Sequence, residues 1–222
     1  MNENLTELVF ILDRSGSMGG LEPDTIGGFN SMIEKQKREE GDALISTILF
    51  DNVSEVLHDR VDLKKIEPMT GEDYYVRGCT ALLDALGGAI DHIKTVHKYA
   101  REEDKPAKTL FVITTDGLEN ASRKYSYSQI QKMVKHRKEK DHWEFLFLGA
   151  NIDAIDVAGR MGINKDCAVN YECDARGTAV NYDALANVVA MVRSAKACEV
   201  SDAFKGGKWK KNIEEDYETR HK

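Results

Sequence analysis

The stretch Leu8-Val-Phe-Ile-Leu-Asp13-Arg-Ser15-Gly-Ser17-Met18 decides how this chain folds. Its apolar run is too short to cross a membrane and is typical of a strand buried on both faces of a parallel sheet. One carboxylate and two hydroxyls follow at alternating positions, just past the predicted carboxyl end of the strand. Open α/β sheets bind their ligands at this end of their strands. The stretch therefore predicts a buried central strand with a ligand site beside it.

The three polar side chains of this stretch suit a metal ion. Residues at alternate positions of an extended segment point to the same side, and Gly16 allows the chain to bend so that three oxygens converge. Ligands that are all oxygens favour a hard cation such as Mg²⁺, with Mn²⁺ able to substitute. A second interpretation stays open at this point, because Ser15 or Ser17 would equally serve to cap the next helix.

Strands and helices alternate along the rest of the chain. Apolar runs predict strands, and apolar residues three or four positions apart predict the helices between them. The further predicted strands are 43–50, 53–61, 108–115, 143–148 and 166–171, and the predicted helices are 21–40, 81–101, 127–138, 153–161 and 178–197. The strand 53–61 is polar and is expected at an antiparallel edge. The pattern predicts a doubly wound, mainly parallel six-stranded sheet with one antiparallel edge strand and helices on both faces.

Length and composition fit a globular domain with a sizeable core. The chain has 222 residues, of which 41% are hydrophobic and 31% are charged. Its formal net charge of −7 argues against a nucleic-acid partner, which would require a basic surface. No repeat or low-complexity linker interrupts residues 1–198, for which we predict a single domain. Residues 199–222 are highly charged, and we expect an extension, with a mobile one favoured over a docked one.

The cellular location is predicted from what the sequence lacks. No basic segment followed by an apolar one opens the chain, and no apolar stretch approaches the roughly 20 residues that span a bilayer. The four cysteines form no Cys-x-x-Cys pair, so a zinc site is not expected. We therefore expect a cytoplasmic protein with reduced thiols and no membrane partner.

Two further segments offer oxygen ligands at the same edge of the predicted sheet. Gly78-Cys79-Thr80 precedes the long helix 81–101, and Thr115-Asp116-Gly117 ends the strand 108–115. Because parallel strands end at a common edge, Asp116 is expected beside the first three residues, and the loop that carries Thr80 is expected at the same edge. The residues Asp13, Ser15, Ser17, Thr80 and Asp116 match a known family pattern of metal ligands.

This set resembles the metal-ion-dependent adhesion site of von Willebrand factor type A (vWA) domains. The family pattern is Asp-x-Ser-x-Ser, then a Thr after a glycine-containing loop, then an Asp after the strand beside the first. The resemblance covers about residues 5–198, and no metal-site position departs from the pattern. It implies that Ser15 and Ser17 bind Mg²⁺ directly and that Thr80 binds directly or through water. Asp13 and Asp116 would then act largely through water.

The resemblance also implies a protein-binding function without catalysis. The open coordination position of Mg²⁺ would take a Glu or Asp carboxylate from a partner protein, because neutral hydroxyls leave the metal charge under-compensated. A stand-alone copy resembles the prokaryotic members that work beside ATPases, metal-insertion machines or stress-response systems. An ATPase or an assembly protein is therefore among the expected partners.

The alternative is an enzyme, namely a Mg²⁺-dependent phosphatase or related hydrolase that uses Asp13. Such enzymes usually need a second acid two residues further on for proton transfer, and here that position is Ser15. The sequence also lacks a phosphate loop of the Gly-x-x-x-x-Gly-Lys type. Binding is therefore favoured over catalysis.

Residues next to the predicted ligands are candidates for contact with the partner. Arg77, Tyr74 and Tyr75 are of the types that anchor interfaces, and for them both a contact role and a structural role stay open. Glu119 and Asn120 follow the metal Asp, but a loop that starts a helix is polar in any case, so a structural role is favoured.

Overall fold

A computed structural model describes residues 1–221. The strands form one sheet in the order β3-β2-β1-β4-β5-β6. They are β1 (Asn2–Asp13), β2 (Asp42–Phe50), β3 (Ser54–Asp62), β4 (Pro106–Thr115), β5 (Glu144–Gly149) and β6 (Ala168–Asn170). All neighbouring pairs are parallel except β2 and β3, which are antiparallel. The predicted sheet, with its single antiparallel edge strand, is confirmed.

Helices cover both faces of this sheet. They are α1 (Glu22–Gln36), α2 (Leu82–Tyr99), α3 (Tyr127–Asp141), α4 (Ala154–Arg160), α5 (Ala175–Ser194), α6 (Val200–Ala203) and α7 (Lys211–Arg220). α1 packs against α5, and α2 packs against α3. Right-handed crossovers on the two sides of β1 place these two pairs on opposite faces. Within residues 1–221, none of the helices has the length and apolar character needed to cross a membrane.

The core explains why β1 lies at the centre. Its residues from Leu8 to Leu12 are each at most 1% exposed, as expected for a strand with helices on both sides. Phe10 packs edge to face on Phe29 of α1, with 5.6 Å between the ring centres. Burial of the whole apolar run fixes the carboxyl end of β1 beside that of β4. This is the edge at which the candidate ligands were predicted.

The end of the chain differs from the expectation of a mobile extension. Residues 199–221 form α6 and α7, and α7 packs on α5 and β6. Phe204 and Ile213 are each 2% exposed, and the indole Nε1 of Trp209 donates to the backbone oxygen of Asp166 at 2.8 Å. The apolar residues of this segment are few and widely spaced, so their docking depends on tertiary contacts that sequence periodicity does not reveal.

Candidate metal centre

The predicted site residues come from three segments that meet at the carboxyl edge of the sheet. Asp13 ends β1, and a short 3-10 turn at Gly16–Met18 carries the second serine. Thr80 lies just before α2, and Asp116 follows β4 directly. Because β1 and β4 are parallel neighbours, the two acids lie at the same edge.

Four side chains converge at this edge in a row of oxygens. The Oγ of Ser15 lies 3.1 Å from the Oγ of Ser17, which donates to Oδ1 of Asp116 at 2.5 Å. Thr80 borders the same space, since a Cβ added to Gly117 would lie 3.3 Å from the Ser17 hydroxyl and 3.4 Å from the Thr80 hydroxyl. The structure therefore brings together the residues that the resemblance groups as metal ligands.

Asp13 lies below the surface and organises its neighbours. It is 1% exposed, its Oδ1 accepts the Ser15 backbone N–H at 2.7 Å, and its Oδ2 accepts the Thr115 hydroxyl at 2.6 Å. Burial raises the pKa of Asp13 and outweighs these hydrogen bonds, which lower it. The sequence analysis placed Thr115 in a segment that offers oxygen ligands, and the structure gives it the role of supporting Asp13.

Cys173 is a residue that the sequence analysis missed. Its Sγ lies 3.6 Å from Oδ2 of Asp116, from a loop 57 residues further along the chain. Burial, together with the neighbouring carboxylate, raises the pKa of the Cys173 thiol to about 12. Burial also raises the pKa of Asp116, against the hydrogen bonds from Ser17 and Cys173. The thiol is therefore a neutral neighbour of the candidate ligand.

A backbone hydrogen bond joins the first two loops of the site. The Gly16 N–H donates to the Gly78 oxygen at 3.0 Å. Gly78 has a φ of +70°, which favours glycine, and an added Cβ would collide with the Asn52 side chain. The same Asn52 side chain accepts the Cys79 N–H at 2.7 Å. This close approach holds Thr80 beside the serines.

Asn120 and Glu119 have the structural role that the sequence favoured. The side-chain oxygen of Asn120 accepts the Thr80 backbone N–H at 3.0 Å, and the backbone N–H of Asn120 donates to the Thr80 backbone oxygen at 3.0 Å. The Glu119 carboxylate accepts the Leu83 N–H at 2.9 Å and the Ser122 hydroxyl at 2.8 Å. Both residues tie the loop after β4 to the start of α2.

A buried charge network supports the site from the side of β2 and β3. Arg14 is fully buried, and its Nε donates to Asp51 at 2.9 Å, while the Nε of Arg77 donates to the same oxygen at 2.7 Å. Burial acts to raise the pKa of Asp51, but these hydrogen bonds and one from Val53 hold it below its ordinary value. The guanidinium carbons of both arginines lie within 5.2 Å of the Tyr75 ring centre. The network joins loops far apart in sequence.

The two tyrosines before Thr80 have different roles. Tyr74 is 1% exposed, and its hydroxyl donates to the Asp13 backbone oxygen at 2.6 Å, so it supports the site from inside. Tyr75 is 41% exposed and lies on the rim together with Arg77. Of these three residues, Tyr75 and Arg77 are exposed and available for contact with a partner, and Tyr74 is not.

The donor set fits a hard divalent cation. Adjacent ligands of an octahedral Mg²⁺ with bonds of about 2.1 Å stand about 3 Å apart, which matches the separation of the Ser15 and Ser17 hydroxyls. Within residues 1–221, no group of three His, Cys, Asp or Glu side chains gathers as metal ligands would. The oxygen atoms gathered at this edge are the hydroxyls of Ser15, Ser17 and Thr80 and the carboxylate of Asp116, with the carboxylate of Asp13 below them.

Comparison with solved structures identifies the fold as that of vWA domains. Proximal thread matrix protein 1 from the mussel byssus matches with a TM-score of 0.56 and 13% identity, over 85% of this chain and 46% of that chain. A vWA protein from Catenulispora acidiphila gives a TM-score of 0.53 and 12% identity, over 83% of this chain and 42% of that chain. The ArnB paralog VWA2 from Sulfolobus acidocaldarius gives a TM-score of 0.50 and 16% identity, over 86% of this chain and 45% of that chain.

These similarities define the fold alone. The chain spans about half the length of the three structures, and the identities are low. No family model and no curated protein matches the sequence. A second structure of the byssus protein has zinc in its metal-ion-dependent adhesion site.

Proposed function

We propose that this chain is a Mg²⁺-dependent protein-binding module of the adaptor or assembly type. The observation that carries the proposal is the row of oxygens from Ser15 through Ser17 to Asp116, with the Thr80 hydroxyl beside it. The three hydroxyls would hold the ion, with Mn²⁺ able to substitute. Asp13 would orient the row from below, through the Ser15 backbone and the Thr115 hydroxyl.

The exposure of the site supports a ligand that comes from another protein. Gly16, Ser17 and Gly19 are exposed, so a side chain of a partner can approach the row at Ser17, while Ser15 and Thr80 are buried. When bound, Mg²⁺ would supply an open coordination position and positive charge that is incompletely neutralised by hydroxyl donors. A Glu or Asp carboxylate of the partner satisfies both requirements.

The geometry around Asp13 supports binding over hydrolysis. A nucleophile or general base must reach its substrate, yet Asp13 is 1% exposed and both of its carboxylate oxygens accept hydrogen bonds. We therefore propose a module without catalysis of its own. A cytoplasmic location, an ATPase or assembly protein as partner, and the exclusion of nucleic acid and membrane stay predictions from the sequence.

Direct measurement of metal binding tests the proposal. Ser17→Ala removes one exposed hydroxyl from the row and should weaken Mg²⁺ and Mn²⁺ binding to the full chain by at least about tenfold in calorimetric titration. Ser31 is also exposed but lies in α1, away from the row, so Ser31→Ala is the matched control and should leave the affinity unchanged. Equal affinities for wild type and Ser17→Ala would overturn the metal site.

Capture of a partner tests the second half of the proposal. The immobilised chain should retain a protein from lysate with Mg²⁺ present, and lose it with EDTA or in the Ser17→Ala variant. Retention that survives both changes would show that the partner does not bind through the metal.

A further inference from the structure

A groove of about 950 Å³ lies between β3 and α2. Its floor consists of small or short side chains, among them Ser46 of β2 and Ala85 and Ala89 of α2. Two adjacent glycines show how it arises. A Cβ added to Gly87 would collide with the Tyr125 ring, whereas one added to Gly88 meets no atom within 4 Å. α2 therefore packs tightly on one side and leaves open space on the other.

The groove begins at the candidate metal centre. Cys79 and Asn120 line its upper end, and both are tied to the metal loop, since Cys79 precedes Thr80 and Asn120 accepts the Thr80 N–H. The groove therefore starts next to the loop that carries Thr80.

The other end of the groove is closed by a polar pair. His92 of α2 lies 2.7 Å from Asp59 of β3. Between this pair and the upper end, the wall includes Ser46 and Ile48 of β2 and Asn52 of the turn that follows the strand. Ser46 lies about 13 Å from the end of β2 at the rise of a strand, a length that holds about four residues of an extended chain.

Exposed apolar side chains concentrate along this path. Val53 is 58% exposed and Val56 is 57% exposed, and both line the groove. Leu118, which is 60% exposed, and Tyr75 stand beside the metal centre. Large apolar side chains gathered on one surface mark a site of protein interaction.

The groove is lined by two basic and two acidic side chains, namely Arg123, Lys124, Asp59 and Asp84. Asp59 contacts His92, and Asp84 accepts backbone N–H groups, whereas Arg123 and Lys124 are exposed and form no ion pair with another of residues 1–221. Their backbone N–H groups donate to the Asp84 carboxylate at 2.9 and 2.8 Å, which fixes these two residues in place. Two exposed basic side chains without ion-pair partners, close to the exposed Val53 and Val56, are complementary to a segment that carries both acidic and apolar residues.

We propose that this groove binds an extended segment of the same partner protein, in which acidic and apolar residues follow the carboxylate that reaches the metal. This inference rests on the proposed function and adds the chemistry of the partner to it. The apolar side chains would fill the space beside Val56 and Gly88, and the acidic ones would face Arg123 and Lys124.

A library of random linear peptides, displayed on phage and selected on the full chain with Mg²⁺, provides the probe. Enriched peptides should contain an Asp or Glu next to apolar residues. Gly88→Phe fills the groove from an open position and should weaken their binding by at least about tenfold, the loss expected when one buried apolar side chain is expelled. Gly27→Phe is the matched control, because Gly27 is also an exposed helical glycine with open space around it, on α1.

The outcomes separate the groove from the metal. Peptides that need Mg²⁺ but bind Gly88→Phe as tightly as wild type would overturn the groove and leave the proposed function standing. Some peptides could lose affinity for Gly88→Phe but bind equally well in EDTA and to Ser17→Ala. That result would overturn the proposal that one partner segment occupies both the metal site and the groove. Failure to enrich acidic peptides, or a dimer that Gly88→Phe dissociates, would also overturn the proposed occupant.

Cysteine labelling maps the bound peptide independently. Cys79 and Cys198 are both exposed thiols, but only Cys79 lines the groove. A selected peptide should slow alkylation of Cys79 and leave that of Cys198 unchanged. Equal rates at Cys79 with and without peptide would contradict binding in the groove.

Discussion

Both edges of the sheet bury charged side chains, but the two edges neutralise them differently. Near the amino edge, the fully buried Glu7 pairs with Arg60 at 2.7 Å and lies 2.6 Å from His97. At the carboxyl edge, Asp13 and Asp116 are at most 2% exposed, and neither pairs with a basic side chain among residues 1–221. Burial raises the pKa of both. The carboxylates of Asp13 and Asp116 thus differ from Glu7, and also from Asp51 at their own edge, which pairs with Arg14 and Arg77. Under the proposed function, a bound cation would neutralise them.

Near the amino edge, basic side chains also donate hydrogen bonds to the free backbone oxygens at the ends of helices. Arg193 of α5 donates to backbone oxygens at the end of α1 and in the loop that follows, up to Gly41. Lys108 of β4 donates to the backbone oxygens of Arg193 and Ala195 at the end of α5. Carbonyl groups that a helix end leaves without partners are thus bonded. The buried polar groups near the amino edge therefore serve stability, and the proposed function lies at the carboxyl edge.

The largest effect is expected at the amino edge. Glu7→Ala should lower the free energy of unfolding by about 3 kcal/mol or more, because it leaves the partners of a buried ion pair without compensation. Urea unfolding followed by circular dichroism measures this loss, and the exposed Glu3→Ala in the same strand is the control. A loss similar to that of the control would show that the network contributes little to stability.

Metal removal should affect only the carboxyl edge. At Mg²⁺ concentrations about a hundredfold above its Kd, the free energy of unfolding should rise by about 2.7 kcal/mol relative to EDTA. Ser17→Ala should lose most of this increment, and Glu7→Ala should keep it, since distant independent sites are additive. Denaturant titrations in the two buffers measure the increment. An increment that Glu7→Ala abolishes would show that the edges are coupled.

The parts of the site that the sequence predicted are those encoded locally or by a family pattern. Asp13, Ser15 and Ser17 follow one buried strand, so their convergence follows from strand geometry alone. In contrast, Arg14 and Asp51 form a hydrogen bond although they are 37 residues apart in sequence. Cys173 contacts Asp116 although the two are 57 residues apart. No periodicity or short motif marks such contacts, because only the sheet order brings the loops together.

The same limit applies to the groove and to the end of the chain. Gly87 and Gly88 look alike in the sequence, and only packing shows that one meets Tyr125 and the other meets open space. The docking of residues 199–221 depends on isolated anchors such as Phe204, whose partners lie elsewhere in the chain. The strands and helices themselves were predictable because their apolar periodicity is local.

Asp84 is an acidic residue at the carboxyl edge whose carboxylate accepts hydrogen bonds from the chain itself. Burial acts to raise its pKa, but hydrogen bonds from three backbone N–H groups at 123–125 lower the pKa below the ordinary value of 3.8. A lowered pKa stabilises the fold above pH 3.8, and this contribution is lost as pH falls through the folded-state pKa. Asp84→Asn should therefore cost about 1 kcal/mol at neutral pH.

The pH dependence distinguishes this effect from a loss of packing. Urea titrations of wild type and Asp84→Asn, carried from neutral to strongly acidic pH, should show the difference in stability shrinking as wild-type Asp84 becomes protonated. A difference that stays constant across this range would assign the loss to shape instead of charge.

Substitution of Asp116 should change the free energy of unfolding in opposite directions without and with bound metal. Without metal, its buried negative charge lacks a cation, so Asp116→Asn should raise the free energy of unfolding in EDTA by about 1 kcal/mol, as substitutions at functional sites often do. With Mg²⁺ present, the same substitution should lower stability, because it removes a carboxylate from the site. Denaturant titrations in EDTA and in Mg²⁺ measure both effects on one variant. A residue that serves only the fold would shift stability equally in both buffers. That result would place Asp116 in the same class as Glu7 and remove the contrast between the edges.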